Sequence, residues 1–344
     1  MKFSNNYLIY PDSKALERAI AYSVSLLSAE LIEEGKIDDD ISVADNFLHA
    51  RGNFEQHRFT SNVLDSACEV LEAGLTEEYR KQDPAGWAET QNSLGNILAA
   101  LGQQQNDVAL YEKAQQSFNH ALDEFNQEKS PLSWASSQYN LGTAQQALGR
   151  QESNSKLLKS SIDAYTNVLL IWTREQNPLE WASTMHQLGA TFHAYGKLLN
   201  GNRNLQKSVV AYKNALAEFD ADNTALEITA THNNRGAVLH HLGQSEENAE
   251  RLEEAIRSYD TALTICMEQQ LPIHLAVICR VNISTARGDL AELTKNLALA
   301  EEAADDFEMI IELFLPSLQP LCLKHCQEQL KKAQSLVQAL NGNG

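Results

Sequence analysis

The sequence lacks the features that insert a chain into a membrane or export it. No stretch approaches 18 uninterrupted apolar residues, so no segment is expected to span a bilayer. The first eleven residues contain no apolar run long enough for a signal peptide. The five cysteines are odd in number and are not spaced as a disulfide framework, which is typical of reduced thiols. We therefore expect a cytoplasmic protein without membrane insertion.

Positive charge is scarce in this chain. It has 27 Lys and Arg residues against 46 Asp and Glu residues, which gives a formal net charge of −19. Nucleic acids and anionic lipids are bound through clustered Lys and Arg, so neither is expected as a partner. With 43% hydrophobic and 21% charged residues, the chain nevertheless has the composition of a folded protein.

Catalytic motifs are also missing. The sequence contains no Gly-rich phosphate loop, no Gly-x-Ser-x-Gly turn and no His-Glu-x-x-His helix. His186 and His193 share a helix face, but no carboxylate or cysteine completes a set of four zinc donors. Cys322, His325 and Cys326 lie within one turn, and we interpret the thiols as core residues rather than metal ligands. The sequence therefore predicts no enzyme activity, no cofactor and no metal.

What the chain does contain is an internal repeat of 47 residues. Four glycines recur at this period, and a second set of glycines follows seven residues later in each unit. Three tryptophans and three prolines keep the same step. These positions are Gly95, Gly142, Gly189 and Gly236; Gly102, Gly149, Gly196 and Gly243; Trp87, Trp134 and Trp181; and Pro84, Pro131 and Pro178. A fixed period of this length predicts a stack of identical supersecondary units, which is a solenoid.

One unit, residues 131–177, has the pattern of a helical hairpin. Pro131 suits the first turn of a helix, and apolar or small residues follow at helical spacing. We expect Gly149 to end this helix in a left-handed conformation. After a polar stretch, a second helix is predicted as far as Trp172, and Asn177 closes the unit before the next proline. The sequence therefore predicts an all-α fold with one hairpin per unit.

The first glycine of each unit, here called the core glycine, lies inside the first predicted helix. Glycine costs about 1 kcal/mol relative to alanine there, so its recurrence indicates that the second helix crosses too closely for a β-carbon. Small residues and aromatic rings recur four residues apart in the second helix, and their packing across the paired helices accounts for both sets. The pairs are Ala114 and Phe118, Ser161 and Tyr165, Ser208 and Tyr212, and Ala255 and Tyr259.

These residues resemble the tetratricopeptide repeat. The family pattern of Leu-Gly, then Ala, an aromatic residue, Ala and a later Pro is matched by Leu94-Gly95, Ala114, Phe118, Ala121 and Pro131. The period is 47 rather than 34 residues, and residues 83–88, Asp-Pro-Ala-Gly-Trp-Ala, resemble long-repeat bacterial arrays. The resemblance implies an α-solenoid, a right-handed superhelix of helical hairpins.

The repeat divides the chain into four parts. Residues 84–271 hold four clear units, and residues 1–83 hold a predicted helix and one degenerate unit. Residues 272–315 form a degenerate fifth unit, in which Ile283 replaces the core glycine and the phase slips by one residue in the second helix. Residues 316–344 are expected to form a capping helix and a tail, because a terminal unit must cover its apolar face.

The resemblance also implies where a partner binds. In tetratricopeptide proteins the groove side chains lie three residues before the core glycine and one, four and five residues after it. Carried onto this chain, the positions are Asn92, Asn96 and Ala99; Tyr139, Thr143 and Gln146; His186 and His193; Asn233 and His240; and Arg280, Ser284 and Arg287. Amides, imidazoles and guanidinium groups suit a peptide backbone or a carboxylate, and the alternative is that they are only solvated.

The sequence thus predicts a scaffold or adaptor that binds a protein or peptide segment, possibly one bearing a carboxylate, in a concave groove. The alternative is a regulatory receptor whose superhelix responds to a peptide or small-molecule signal and acts on an effector in trans. The identity of the partner and the oligomeric state are left open by the sequence.

Overall fold

The computed structural model describes residues 68–69, 71–105, 107–220, 223–313 and 320–342. The predicted N-terminal helix and most of the degenerate unit within residues 1–83 lie outside this part of the chain. Within it the backbone forms helices and turns without a strand. Its helices are α1 (Glu77–Gln82), α2 (Pro84–Gln105), α3 (Val108–Glu124), α4 (Pro131–Gln151), α5 (Ser155–Val168), α6 (Pro178–Leu199), α7 (Asn202–Leu216), α8 (Ala225–Ser245), α9 (Ala249–Glu268), α10 (Ile273–Thr294), α11 (Leu297–Glu312) and α12 (Pro320–Asn341).

The predicted hairpins are confirmed. In each described unit the first helix packs on the second, as α2 on α3, α4 on α5, α6 on α7, α8 on α9 and α10 on α11. The helix α12, which lies in the segment predicted to form a capping helix, packs on α11 and α10. The chain also divides into two compact bodies, each of which contains several repeat units. We call these bodies the N-terminal unit (His57–Glu218, with α1–α7) and the C-terminal unit (described from Phe219 onward, with α8–α12).

The helix starts follow from local sequence. Pro131 and Pro178 occupy the first helical positions of α4 and α6, where their missing N–H groups have no intrahelical partner to lose. The second helices begin at polar caps that also recur. The Asn154 side chain accepts hydrogen bonds from two backbone N–H groups of α5, and Asn248 caps α9 in the same way through one.

The close crossing at the core glycines is confirmed. A β-carbon placed on Gly95 would lie 2.5 Å from a ring carbon of Phe118, and one on Gly142 would lie 3.0 Å from Tyr165. The matching distance from Gly189 to Tyr212 is 2.7 Å, as is that from Gly236 to Tyr259. In the third unit, the buried Ser208 hydroxyl also donates to the carbonyl oxygen of Gly189 at 2.6 Å. Each ring therefore occupies the space that a side chain would need.

The prediction that Gly149 ends its helix in a left-handed conformation is wrong. Gly149 lies inside α4, and a β-carbon there would lie 3.0 Å from both the side chain and the backbone nitrogen of Leu158. The left-handed residue comes four positions later, at Ser153 with φ 54°. Asn200 and Glu247 repeat it with φ 51° and 49°. The second glycine set is therefore a second close approach between the paired helices.

The fifth unit is offset by one residue from its beginning. The helix start moves from Ala225 to Ile273 and the cap from Asn248 to Asn296, both by 48 residues. The slip therefore precedes Pro272, and the prediction that it begins in the second helix is wrong. By this offset Ser284, buried at 1% exposure, takes the core-glycine position rather than Ile283.

The repeated tryptophans are not equally buried. Trp87 is 5% exposed and packs against Ala121 and Phe125, whereas Trp134 and Trp181 are half-buried. The guanidinium of Arg80 lies 4.5 Å from the centre of the Trp87 ring. The tryptophans therefore lie where one hairpin meets the next, but only the first ring is enclosed.

Candidate binding surface

The structure buries six of the thirteen predicted groove residues, two of which are Gln146 at 3% and Ser284 at 1% exposure. The exposed fraction is 1% for His186, 3% for His193, and 0% for Asn233 and His240. The His186 ring packs edge-on against Tyr212, with 5.3 Å between ring centres. Burial lowers the pKa of His186 to about 3, so the imidazole is neutral at pH 7. These side chains face other helices of the fold rather than solvent.

Hydrogen bonds show which neighbour the buried positions face. The Asn140 amide on α4 donates to the Asn92 carbonyl oxygen on α2 at 3.1 Å. The Asn282 amide on α10 donates to Asn233 on α8 at 2.9 Å. In both pairs, the acceptor lies three residues before the core-glycine position of its own helix. The donor lies on the first helix of the next hairpin, two residues before the core-glycine position of that helix. This side of the first helix is an internal packing surface.

The position four residues after the core glycine behaves in the same way. The Gln146 amide on α4 donates to the Gln187 carbonyl oxygen and to the Thr191 hydroxyl on α6, at 3.1 and 2.7 Å. Sequence reasoning missed this inner layer of amides, although Asn140, Gln187 and Asn234 recur at 47 residues. Their recurrence was a usable signal, because amides in one repeated position can pair between neighbouring units.

In the C-terminal unit, the predicted residue His240 is part of a polar network around Asp289. One Asp289 oxygen accepts from His240 Nε2 at 2.8 Å and from Gln244 Nε2 at 2.6 Å, and the other from Lys332 Nζ at 2.8 Å. Burial alone would raise the pKa of Asp289, but hydrogen bonds and charges of His240 and Lys332 outweigh it and lower this pKa to about 2. The Asp289 carboxylate on α10 is therefore hydrogen-bonded to both α8 and α12.

The other predicted residues have mixed surroundings. Asn96 and Arg280 are exposed. Tyr139 is half-buried, with its ring centre 5.5 Å from that of Tyr165 and 5.6 Å from that of Trp172. The described partners of the remaining two lie in their own hairpins: Thr143 with the Tyr165 hydroxyl at 2.9 Å, and Arg287 with Asp306 at 2.6 Å and Glu302 at 3.2 Å. Because six of the thirteen predicted residues are buried, they do not form one open face.

Another set of repeated positions on α4 and α6 is at least partly exposed, and it shares with the predicted groove only the position five residues after the core glycine. It lies ten and six residues before the core glycine and five and eight residues after it. At 100° per residue these positions share one face of a helix, about 110° around the axis from the core glycine. The residues are Leu132, Ser136, Ala147 and Arg150 on α4 and Leu179, Ser183, Ala194 and Lys197 on α6. We call this set the α4–α6 surface.

The α4–α6 surface changes character along its length. At one end Leu132 is 61% exposed and Leu179 is 47% exposed. Partly exposed serines and alanines follow, and the other end carries Arg150 and the half-buried Lys197. Burial, followed by the charge of Arg150, lowers the pKa of Lys197. The charge of Arg150 therefore acts on the ammonium group of Lys197.

The described residues do not assemble the groups that metal chemistry would need. Among the residues that the structure describes, no three His, Cys, Asp or Glu side chains are grouped to hold a metal ion. Cys326 is buried in the apolar cluster with Phe307 and Ile310, while the side chain of Cys322 lies outside the described residues. No described helix is both long and apolar enough to cross a bilayer.

Comparison with known proteins adds no assignment. The chain matches no protein-family model and no curated protein sequence.

Proposed function

We propose that this protein is a non-enzymatic interaction scaffold or adaptor of the cytoplasm, built as a tetratricopeptide-like array. It binds an extended segment of a partner protein along the α4–α6 surface. The observation that carries the proposal is the repetition of residue class on two adjacent helices: leucine, serine, alanine and a cation stand at equal levels on α4 and α6. Repeated surfaces of stacked helical hairpins are the usual binding faces of such arrays.

Each part of the surface suits one part of a polypeptide ligand. The exposed leucines offer apolar area, worth about 25 cal/mol for each Å² removed from water. The small side chains of Ser136, Ser183, Ala147 and Ala194 let a backbone approach closely. A carboxylate at the Arg150–Lys197 end gains charge-assisted hydrogen bonds. From Leu132 to Arg150 the helix rises about 27 Å, the length of about eight extended residues.

Selection from a displayed library of random peptides about twelve residues long tests this function, since such peptides exceed that span. Peptides enriched on the immobilised protein are synthesised, and their affinities are measured by calorimetry. We expect Leu132→Ser with Leu179→Ser to weaken binding at least about tenfold, because about 1.4 kcal/mol of apolar burial is lost. The melting temperature should hardly change, since both side chains are largely exposed.

The chain offers a matched control for this experiment. Leu170 and Leu199 also belong to the N-terminal unit and are 64% and 49% exposed, but they lie off the α4–α6 surface. Leu170→Ser with Leu199→Ser should leave the affinity unchanged. Equal weakening by the two double variants, or no enriched peptide at all, would contradict a binding role for the α4–α6 surface.

A further inference from the structure

The third repeat departs from the charge balance of the chain. Residues 181–217 contain no Asp or Glu, although the chain has 46 of them. The same stretch contains four cations: Lys197, Arg203, Lys207 and Lys213. It covers nearly all of α6 and the whole of α7. An acidic protein thus contains one hairpin that is locally cationic.

Three of these cations lie on the outer side of α7. The opposite side, with Leu205, Ser208 and Tyr212, is buried against α6. Arg203, Lys207 and Lys213 are exposed, and Val210 lies among them at 58% exposure. We call these four residues the α7 outer face.

In the described part of the chain, no carboxylate neutralises the α7 outer face. None of its three cations forms an ion pair with an acid in the part of the chain that the structure describes. Lys207 Nζ lies 5.2 Å from the centre of the Phe192 ring, which is a cation–π contact and not a charge pair. Glu218, just beyond α7, accepts from Arg174 Nε at 2.6 Å, so its charge is already balanced.

The second helices of the other described hairpins are different. On α5, Lys159 pairs with Asp163, and on α9, Arg257 lies 3.6 Å from Glu253. The exposed side of α11 carries mainly acids, including Glu301 and Asp305. These second helices therefore mix charges or are acidic, and simple solvation does not account for the uniform sign of α7.

We propose that the α7 outer face is a second docking surface, which takes a short acidic segment of a partner protein. From Arg203 to Lys213 the helix rises about 15 Å, which four or five extended residues can follow. Asp or Glu side chains meet the three cations, and an apolar side chain contacts Val210. This surface does not depend on the function proposed for the α4–α6 surface.

Charge screening explains why a short segment fits. At physiological ionic strength, interactions between exposed charges decay over about 8 Å, so the local cations outweigh the distant acids of the body. A long nucleic acid would extend over acidic neighbours of α7. A second copy of the chain would bring its own net charge of −19, and two crossing helices bury less area than a stable dimer needs.

The test uses the same peptide selection with a different variant. We expect peptides enriched in Asp and Glu on the full chain. For such a peptide, Arg203→Gln with Lys207→Gln and Lys213→Gln should weaken binding about tenfold, at roughly twofold per exposed pair, and flatten its salt dependence. The control is Lys81→Gln with Lys113→Gln and Lys129→Gln, which removes equal charge from exposed positions elsewhere in the same unit.

The outcomes separate the two proposals. Acidic peptides that respond to the α7 triple variant and not to the control support the docking surface. Enriched peptides without acidic bias, or acidic peptides equally affected by both triple variants, overturn it. Peptides sensitive only to the leucine double variant overturn it and leave the function of the α4–α6 surface standing. Self-association that sedimentation equilibrium detects and the α7 triple variant abolishes would make the occupant a second copy, which also overturns it. Failure to enrich any peptide contradicts both proposals.

Discussion

At the scale of single residues, the glycines of this chain differ in what surrounds them. Gly95 faces the buried ring of Phe118 at 2.5 Å, whereas Gly288 in α10 has no atom within 4 Å of an added β-carbon. Both lie inside helices, so intrinsic propensity favours alanine equally at the two sites. The surroundings alone decide the sign of the substitution.

We expect Gly95→Ala to destabilise the protein and Gly288→Ala to stabilise it. The first change forces a fully enclosed ring to move, at a cost of about 1–3 kcal/mol that outweighs the propensity gain. Gly288→Ala raises helix propensity without a clash and should stabilise the protein by roughly 0.5–1 kcal/mol. Gly142→Leu, which overpacks Tyr165, should also destabilise. Urea unfolding monitored by circular dichroism measures all three, and a stabilising Gly95→Ala would show that the helices can separate without cost.

At the scale of helices, the closing helix α12 depends on a carboxylate as well as on its apolar face. Asp289 on α10 is only 13% exposed and accepts from Lys332 on α12. Glu292 contacts the same lysine at 3.4 Å but is 56% exposed. A buried acceptor contributes far more than a hydrated one, because removing it leaves its partners without compensation.

Asp289→Asn should therefore lower the free energy of unfolding by about 3 kcal/mol, and Glu292→Gln by less than about 0.5 kcal/mol. The folded-state pKa of Asp289, about 2, lies below its ordinary value of 3.8. Its contribution is thus complete above pH 4 and declines as the pH falls towards 2. Urea unfolding at pH 7 and pH 3 measures this contribution. If the free energies of unfolding of the wild type and Asp289→Asn differed as much at pH 3 as at pH 7, the carboxylate would be excluded as the cause of the difference.

At the scale of the whole molecule, the N-terminal unit and the C-terminal unit each contain a histidine that burial keeps neutral. Burial lowers the pKa of His186 in the N-terminal unit to about 3. In the C-terminal unit, burial and then the charge of Arg235 lower the pKa of His232 to about 4. The ordinary value is 6.5, so between these limits the unfolded chain binds more protons than the folded one. Both units should therefore lose stability as the pH falls below about 6.5.

The His186 contribution can be isolated with His186→Phe, which keeps an aromatic ring beside Tyr212. Between pH 7 and pH 5 the wild type should lose about 2 kcal/mol through this histidine, and the variant should lose that much less. Thermal unfolding followed by circular dichroism at the two pH values provides the comparison. Identical pH dependence of wild type and variant would mean that His186 protonates without unfolding.

The parts of this structure that were predictable follow from local rules repeated along the chain. The hairpins could be predicted because their signals depend on neighbours in sequence. These signals are the 47-residue period, the prolines at helix starts and the polar residues between helices. The core glycines were also readable, since an unfavourable residue repeated four times indicates a close contact. The second glycines were misinterpreted because a left-handed stop and a close approach favour the same residue.

The binding face could not be read in the same way. The sequence by itself determined the unit, its two helices and the ring that meets each core glycine, because these interactions lie within one hairpin. Only the tertiary structure decided which side of each first helix meets the next first helix. That choice depends on how successive hairpins stack, and it buried Gln146, Asn233 and His240 while leaving Leu132 and Leu179 in solvent. A rotation of about 50° around a helix axis separates the two sets, and helical periodicity alone carries no information about which of two polar sides faces a neighbour.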